Sequence, residues 1–382
     1  MQKITIGIDQ MNVVATPFME TIVEKGWSHN AENLITGIES VLNMNVLYGE
    51  SRKTDKKLVQ GYTVGKAYGE DTQEIRICYH PDCPDMGVVV NFTAQALARY
   101  KELYKEEFDE EIYEYDMIKT LDMLGHTIRL SRIDFYADYV NENISVNSIY
   151  RQLEKGNQVI KYLDGRLNNS SRSYHGEEGS IDTLYVGKRG RNMRCLLRMY
   201  DKKKEQIKNV GRSYKEATEC ESWVRAEVEF HKKYANDLTE ALRNVDSPEG
   251  LGKLIAKSII EKYGFYSAKS GKPNKATKLL MEAAKDSKFK FSLPSTRDIK
   301  LERSHLYVRC GSGAVKNAYM AKEIWGEEAI PALQEQFRQD VENYKPTSEV
   351  IYWLKKHKTE YERRDIKDVF GFYDISEEEK GA

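Results

Sequence analysis

Runs in which apolar and polar residues alternate with a period of two recur between helical stretches through the first 233 positions, and beyond them the strand signal largely stops. Ile4, Ile6 and Ile8 alternate with polar neighbours in a run that ends before Pro17, which predicts an opening strand. Ser28 or Asn30 can cap a following helix that puts Leu34, Ile38, Val41 and Leu42 on one side. Short strands separated by glycine turns are expected from Tyr48 to Phe92, including EIRICYH and GVVVNF. Helices are expected over Ala94–Lys105, Ile112–Leu124 and Val146–Glu154.

The clearest alternation lies in Ser131–Tyr139 and Val224–His231. In the first, Ile133, Phe135, Ala137 and Tyr139 share one face, and Arg132, Asp134, Tyr136 and Asp138 share the other. In the second, Val224, Ala226, Val228 and Phe230 back Arg225, Glu227, Glu229 and His231. Between them a hairpin is expected: Leu184-Tyr185-Val186, a Gly- and Arg-rich turn from Gly187 to Asn192, and a strand from Arg194 to Tyr200. That last strand puts Arg194, Leu196, Arg198 and Tyr200 on one face. Asn168–Ser180 has turn composition and no periodicity, so a loop is expected there. Beyond Lys233, Ala235–Asn244, Glu249–Tyr263, Lys275–Lys285, Val315–Trp325, Glu327–Asn343 and Ser348–Arg363 all have helical patterns. The expected architecture is α+β: a domain over residues 1–235, built on a mainly antiparallel sheet with flanking helices, then a mostly helical region over 236–382.

Matched polar faces on these strands would gather carboxylates, arginines and a tyrosine in one place. Carboxylates hold divalent metals through oxygen, arginines clamp phosphate oxygens, and a tyrosine hydroxyl can act as a nucleophile. The bland reading is a salt-bridged sheet face, with Asp134 paired to Arg225 or Arg132 to Glu229. Charge distribution favours the chemical reading. The 382-residue chain has a net charge of only −1. Within Val186–Lys233, however, Lys and Arg outnumber Asp and Glu two to one, and Lys253–Arg303 is more basic still. Two basic blocks around a candidate site point to a polyanion partner. Aromatic residues interleave the second block at Tyr263, Phe265, Tyr266, Phe289 and Phe291, a pattern suited to backbone contact with base stacking.

Over Arg129–Lys233 the order RID…D, YVGKR…RMYDKKKE and WVRAEVEF resembles the Rep_trans group of plasmid rolling-circle replication initiators. A weaker likeness continues through GSGAVKNAYMAKEIWGEE and WLKKH. The resemblance implies a nicking-closing enzyme in which Tyr200 attacks one strand of a plasmid origin, leaving a 5′-phosphotyrosine and a 3′-hydroxyl primer. Tyr185, Tyr136 and Tyr214 stand as alternative nucleophiles. A Mg²⁺ or Mn²⁺ ion is expected on Asp134, Glu227 and Glu229, with His231 and Asp138 as outer candidates and Arg198 and Arg225 on the phosphate. DNA contacts are expected from Lys188, Arg189, Arg191, Arg194, Lys202 and Lys203, and from Lys269, Lys272 and Lys275. Origin choice is expected to reside within Lys253–His357. The expected partners are origin DNA presenting a hairpin with a single-stranded nick site, a second copy of the chain, and a host helicase implied by the resemblance. Two alternatives stay open. One is the initiator or relaxase of a conjugative element or phage; the other is a catalytically silent origin-binding regulator.

Five cysteines, an odd number, without a leader segment fit a reduced, cytoplasmic protein, and no apolar run approaches the roughly 20 residues needed to span a bilayer. Cys78, His80 and Cys83 have the spacing of half a zinc site, but no second pair is close in sequence, so a turn between strands is expected.

Overall fold

The computed structural model describes residues 4–17, 26–54, 58–177, 180–190, 193–209, 211–287, 301–306, 308, 313–346 and 348–370. The chain forms two compact units, residues 1–80 with 86–292 and residues 81–85 with 293–382.

The first unit is built on a ten-stranded antiparallel sheet. Its strands in chain order are β1 (Thr5–Thr16), β2 (Arg52–Lys53), β3 (Val64–Tyr68), β4 (Ile75–Tyr79), β5 (Val88–Phe92), β6 (Thr127–Val140), with β7 (Gln158–Lys161) set apart, then β8 (Arg172–Glu177), β9 (Ser180–Val186), β10 (Cys195–Asp201) and β11 (Trp223–His231). In space the order is β2-β3-β4-β5-β1-β6-β11-β10-β9-β8, and β7 pairs with β12 (Gly264–Ser267) in a small second sheet. The expected mixed, mainly antiparallel architecture is therefore what the chain adopts.

Alternation decides which face is covered. Ile133, Phe135, Ala137 and Tyr139 on β6 lie beside Val224, Ala226, Val228 and Phe230 on β11, and all of them are buried in one core. The helices Trp27–Val41, Ala94–Phe108, Glu114–Asp122, Lys233–Arg243 and Pro248–Lys262 add their apolar sides to that same core. Burying these side chains supplies the main driving force of the unit, at about 25 cal/mol per Å² of apolar surface removed from water. The polar residues of these strands are on the opposite face.

Two expectations shift. The boundary at 235/236 falls inside the first unit. Helix Lys233–Arg243 is tied to the sheet because Thr239 Oγ1 accepts the Leu130 N–H at 2.9 Å, and Leu238 and Leu242 are fully buried. Pro248–Lys262 packs on β1 and β6, and Tyr139 donates its hydroxyl to the Ala276 carbonyl at 3.4 Å. These helices complete the core, so the chain divides only after them. The second shift is β8: part of the expected loop pairs with β9 as the edge of the sheet, through a register irregularity between His175 and Gly176. Pairing, which periodicity does not report, makes this stretch a strand.

Cys78 is buried in β4 against Val14 and Val89, and among the described residues no group of three or more His, Cys, Asp or Glu could hold a metal ion. The second unit comprises the helices Leu301–Leu306, Ala314–Trp325, Ala329–Glu342, Ser348–Tyr361 and Ile366–Phe370. Tyr361 anchors it, donating its hydroxyl to Glu302 Oε2 at 2.6 Å and accepting the Leu301 N–H at 3.0 Å. No helix among the described residues is long and apolar enough to cross a membrane.

Candidate active site on the polar face of the sheet

Register brings the polar positions together. On β6 and β11, Arg132 lies opposite His231, Asp134 opposite Glu229, Tyr136 opposite Glu227, and Asp138 opposite Arg225. On β10 and β11, Arg198 lies opposite Glu227 and Tyr200 opposite Arg225. Tyr200, Arg198, Arg225, Asp134, Glu227 and Glu229 thus share one face of three adjacent strands. The face is largely closed to solvent: Asp134 is 1% exposed, Glu229 2%, Tyr200 4% and Glu227 8%. Charges buried this deeply are costly unless paired.

Three clusters supply the pairing. Arg132 donates Nε to Asp134 Oδ1 at 2.8 Å and Nη2 to Oδ2 at 2.6 Å, and its Nη2 lies 3.4 Å from Glu229. Glu229 also receives both amino groups of Arg189 and sits 3.2 Å from His231 Nε2. Arg225 donates Nε and Nη2 to Asp138 at 2.8 and 2.7 Å and Nη1 to Asp9 at 2.8 Å, with its guanidinium 4.0 Å from the centre of the Tyr136 ring. Glu227 is held more loosely. Tyr200 donates its hydroxyl to Glu227 Oε2 at 3.5 Å, and Arg198 Nη1 is 3.9 Å from the same oxygen.

Proton affinities follow from these contacts. Burial pushes the Asp134 carboxyl up to about 7, further than Arg132 can offset, with Glu229 and Glu227 adding repulsion. Burial also raises Glu227, and Asp9 raises it further. For Glu229 burial pushes up, but His231, Arg132 and Arg189 together hold its carboxyl below the usual range. Burial drives the Tyr200 phenol well above its ordinary value, against the opposing pull of Arg225.

Arg198 differs from the other arginines of this face. Its guanidinium stacks 4.1 Å from the centre of the Tyr200 ring, yet its Nε is buried with no hydrogen-bond partner. A buried, unsatisfied charged donor costs more than a satisfied one, and an incoming phosphate oxygen would relieve it.

Asp9 is the residue that sequence reasoning missed. The β1–β6 register slips between Ile8 and Gln10, so Asp9 sits at a bulge and reaches Arg225. The signal was present: apolar positions are even at Ile4, Ile6 and Ile8 and odd at Met11, Val13 and Ala15. A change of parity within one strand is the sequence mark of an inserted residue.

Asp134, Glu227 and Glu229 all offer the oxygen that a hard divalent cation takes, but as they stand they do not form a group of three placed to hold one. Their arrangement is not a closed cage: Arg132 and Arg189 hold two of them.

The basic residues expected on DNA are dispersed. Lys188, Arg189 and Arg194 are exposed around the β9–β10 turn, and Arg191 lies outside the described residues. Lys202 pairs with Glu205 at 2.8 Å and sits 5.6 Å from the Tyr200 ring centre. Lys203 donates to the Cys220 carbonyl at 2.7 Å, a bond that fastens the neighbouring helix. Lys269 and Lys272 are exposed in the segment after β12, and Lys275 pairs with Glu142 at 2.9 Å. This segment follows a strand whose Phe265 belongs to the core that the helices share with the sheet. Phe289 and Phe291 lie outside the described residues. Tyr185 and Tyr136 share the site face, while Tyr214 is an exposed helix residue.

Residues 128–314 match the Rep_trans family model, described as replication initiation factor, which agrees with the resemblance carried by the RID, RMYDKKKE and WVRAEVEF segments. The fold is similar to a solved rolling circle replication initiator protein from Geobacillus stearothermophilus, with a TM-score of 0.50 at 15% identity, over 74% of this chain and 97% of that one. No curated protein matches the sequence.

Proposed function

Taking residues 128–314 as a replication initiation factor, we propose that the chain nicks and rejoins one DNA strand at a replication origin through a phosphotyrosine on Tyr200. The observation that carries this reading is the convergence on Glu227: the Tyr200 hydroxyl is 3.5 Å from it, and Arg198, whose Nε lacks a partner, is 3.9 Å from it. On this reading Arg198 takes a phosphate oxygen. Tyr200 Oη forms the bond to phosphorus, the bond from phosphorus to the 3′ oxygen breaks, and the phenolic proton passes to Glu227 Oε2. The leaving oxygen takes a proton from water and becomes a 3′-hydroxyl primer. The phosphodiester is exchanged and not hydrolysed, so the reverse attack rejoins the strand.

The raised phenol makes electrostatic help necessary. Mg²⁺ or Mn²⁺ would supply positive charge at the scissile phosphate, and Glu227, Asp134 and Glu229 would hold it once Arg132 and Arg189 release the last two. Arg225, engaged by Asp138 and Asp9, supports the site by holding that corner of the sheet rigid. The same reading includes origin DNA with an extruded single-stranded nick site, action as a homodimer, and a host helicase as partner.

The test is relaxation of supercoiled DNA from the chain's own replicon in Mn²⁺, followed by agarose electrophoresis. Relaxed circles with a protein-linked nicked fraction are expected. Binding without relaxation would instead identify a catalytically silent regulator.

A further inference from the structure

Towards β8 the site face changes character. On β6, β1 and β11 it is charged, salt-bridged and closed. On β9 and β8 it turns aromatic and open: Tyr185 is half-buried and His175 exposed. Register places both on the Tyr200 side of the sheet. Tyr185 lies opposite Arg198, Thr183 lies opposite Tyr200, and His175 lies opposite Thr183. Tyr185 and His175 are therefore diagonal neighbours, and their rings meet edge to face at 5.6 Å and 83°.

We propose that Tyr185 and His175 form a stacking platform for the unpaired bases next to the scissile phosphate. This inference rests on the nicking reading above. Arg198 and Tyr185 are cross-strand neighbours, so a phosphate held at the unpartnered Arg198 Nε brings its own base or the next one over β9. His175 lies two strands across and two residues along from Arg198, about 12 Å away at the usual strand spacing and rise. An edge-to-face pair uses at most one face of each ring, so the remaining faces are available to a base. β8 is the edge of the sheet, which leaves the platform accessible from the side. Exposed Lys188 and Arg194 in the adjoining turn supply charge complementary to a nucleic-acid backbone. Stacking on aromatic rings tolerates any base, so the platform seats single-stranded DNA without reading its sequence.

The experiment uses the full chain and a short oligothymidylate carrying one 2-aminopurine, whose fluorescence falls when the base stacks. Wild type is expected to bind and quench it. His175→Ala and Tyr185→Ala are expected to lose most of the quenching and to bind about tenfold more weakly, the lower range for loss of one stacked base. Tyr185→Phe keeps the ring and is expected to quench like wild type. Unchanged quenching and affinity in both alanine variants, or no quenching by wild type, would overturn the platform. So would a Tyr185→Phe protein as defective as Tyr185→Ala, because the hydroxyl and not the ring would then be at work. Relaxation of supercoiled DNA, run in parallel, separates the two claims. A wild type that quenches through these rings but never relaxes removes the nicking reading alone; one that relaxes while the alanine variants match it in binding removes the platform alone.

Discussion

Arg198 and Arg225 stand on the same sheet face as Asp134, two strands and one strand away from it, and alternation in the sequence makes them equivalent; their partners do not. Arg225 is 11% exposed and spends its donors on Asp138 and Asp9, whereas Arg198 keeps a buried Nε unpaired. Arg225→Ala would strand Asp138 and Asp9, and removing one partner of a buried pair costs about 3–5 kcal/mol. Urea unfolding should register a loss of that order. Arg198→Ala removes a guanidinium that makes no close ion pair, so unfolding should move by about 1 kcal/mol or less, while relaxation is lost. Comparable destabilisation by the two changes would refute this division of labour. Pattern reading finds such a face because polarity alternates; it cannot say which arginine is already engaged, because that depends on register and on Asp9.

Asp134 gives a pH dependence at the same scale. Its carboxyl is raised from an unfolded value near 3.9 to about 7. The folded state thus binds the proton more tightly, and this contribution is complete below about pH 4 and lost as pH rises through 7. In EDTA, the melting temperature of wild type should fall between pH 5 and pH 8 by more than that of Asp134→Asn, which cannot ionise there. Parallel curves would show that Arg132 fully offsets the burial.

Among the elements, β1 carries the least expected geometry. Its central position beside β6 was hidden, since one strand's alternation does not name its neighbours. The parity change at Asp9 was legible, and so was the polarity of β6, β10 and β11. Gly7 shows why register matters. It lies opposite Tyr136, and a Cβ there would come within 2.6 Å of the Tyr136 hydroxyl. That contact forces Tyr136 aside and with it the ring on which Arg225 stacks. Gly7→Ala is expected to cost about 1–3 kcal/mol, as overpacking usually does, and to lower the relaxation rate. A variant with wild-type stability and rate would mean that Tyr136 moves freely.

At the scale of the whole molecule, helical periodicity was read correctly beyond residue 233, but it carried no information about which helices serve the sheet. Leu238, Leu242, Leu254, Ile255 and Ile259 are buried in the first unit's core. A chain ending at residue 235 loses them all and should show no cooperative unfolding transition by circular dichroism. A chain ending at residue 287 retains them and should melt cooperatively. If the shorter chain folds cooperatively, the helices after 235 are dispensable and the unit is smaller than described. The expected seat of origin choice, 253–357, spans both units, so exchanging residues 301–370 alone with those of a relative tests whether the second unit suffices: transferred origin preference says yes, retained preference assigns it to the first.

The central claim is a covalent bond, and mass spectrometry of the protein–DNA adduct tests it most directly. Supercoiled DNA from the chain's replicon is cleaved in Mn²⁺, denatured before religation, digested with nuclease and protease, and the linked peptide sequenced. A 5′-phosphate residue on Tyr200, absent from an otherwise folded Tyr200→Phe protein, is the predicted result. An adduct on Tyr185, Tyr136 or Tyr214 would contradict the assignment of the nucleophile, and cleavage that leaves no adduct would contradict transesterification itself.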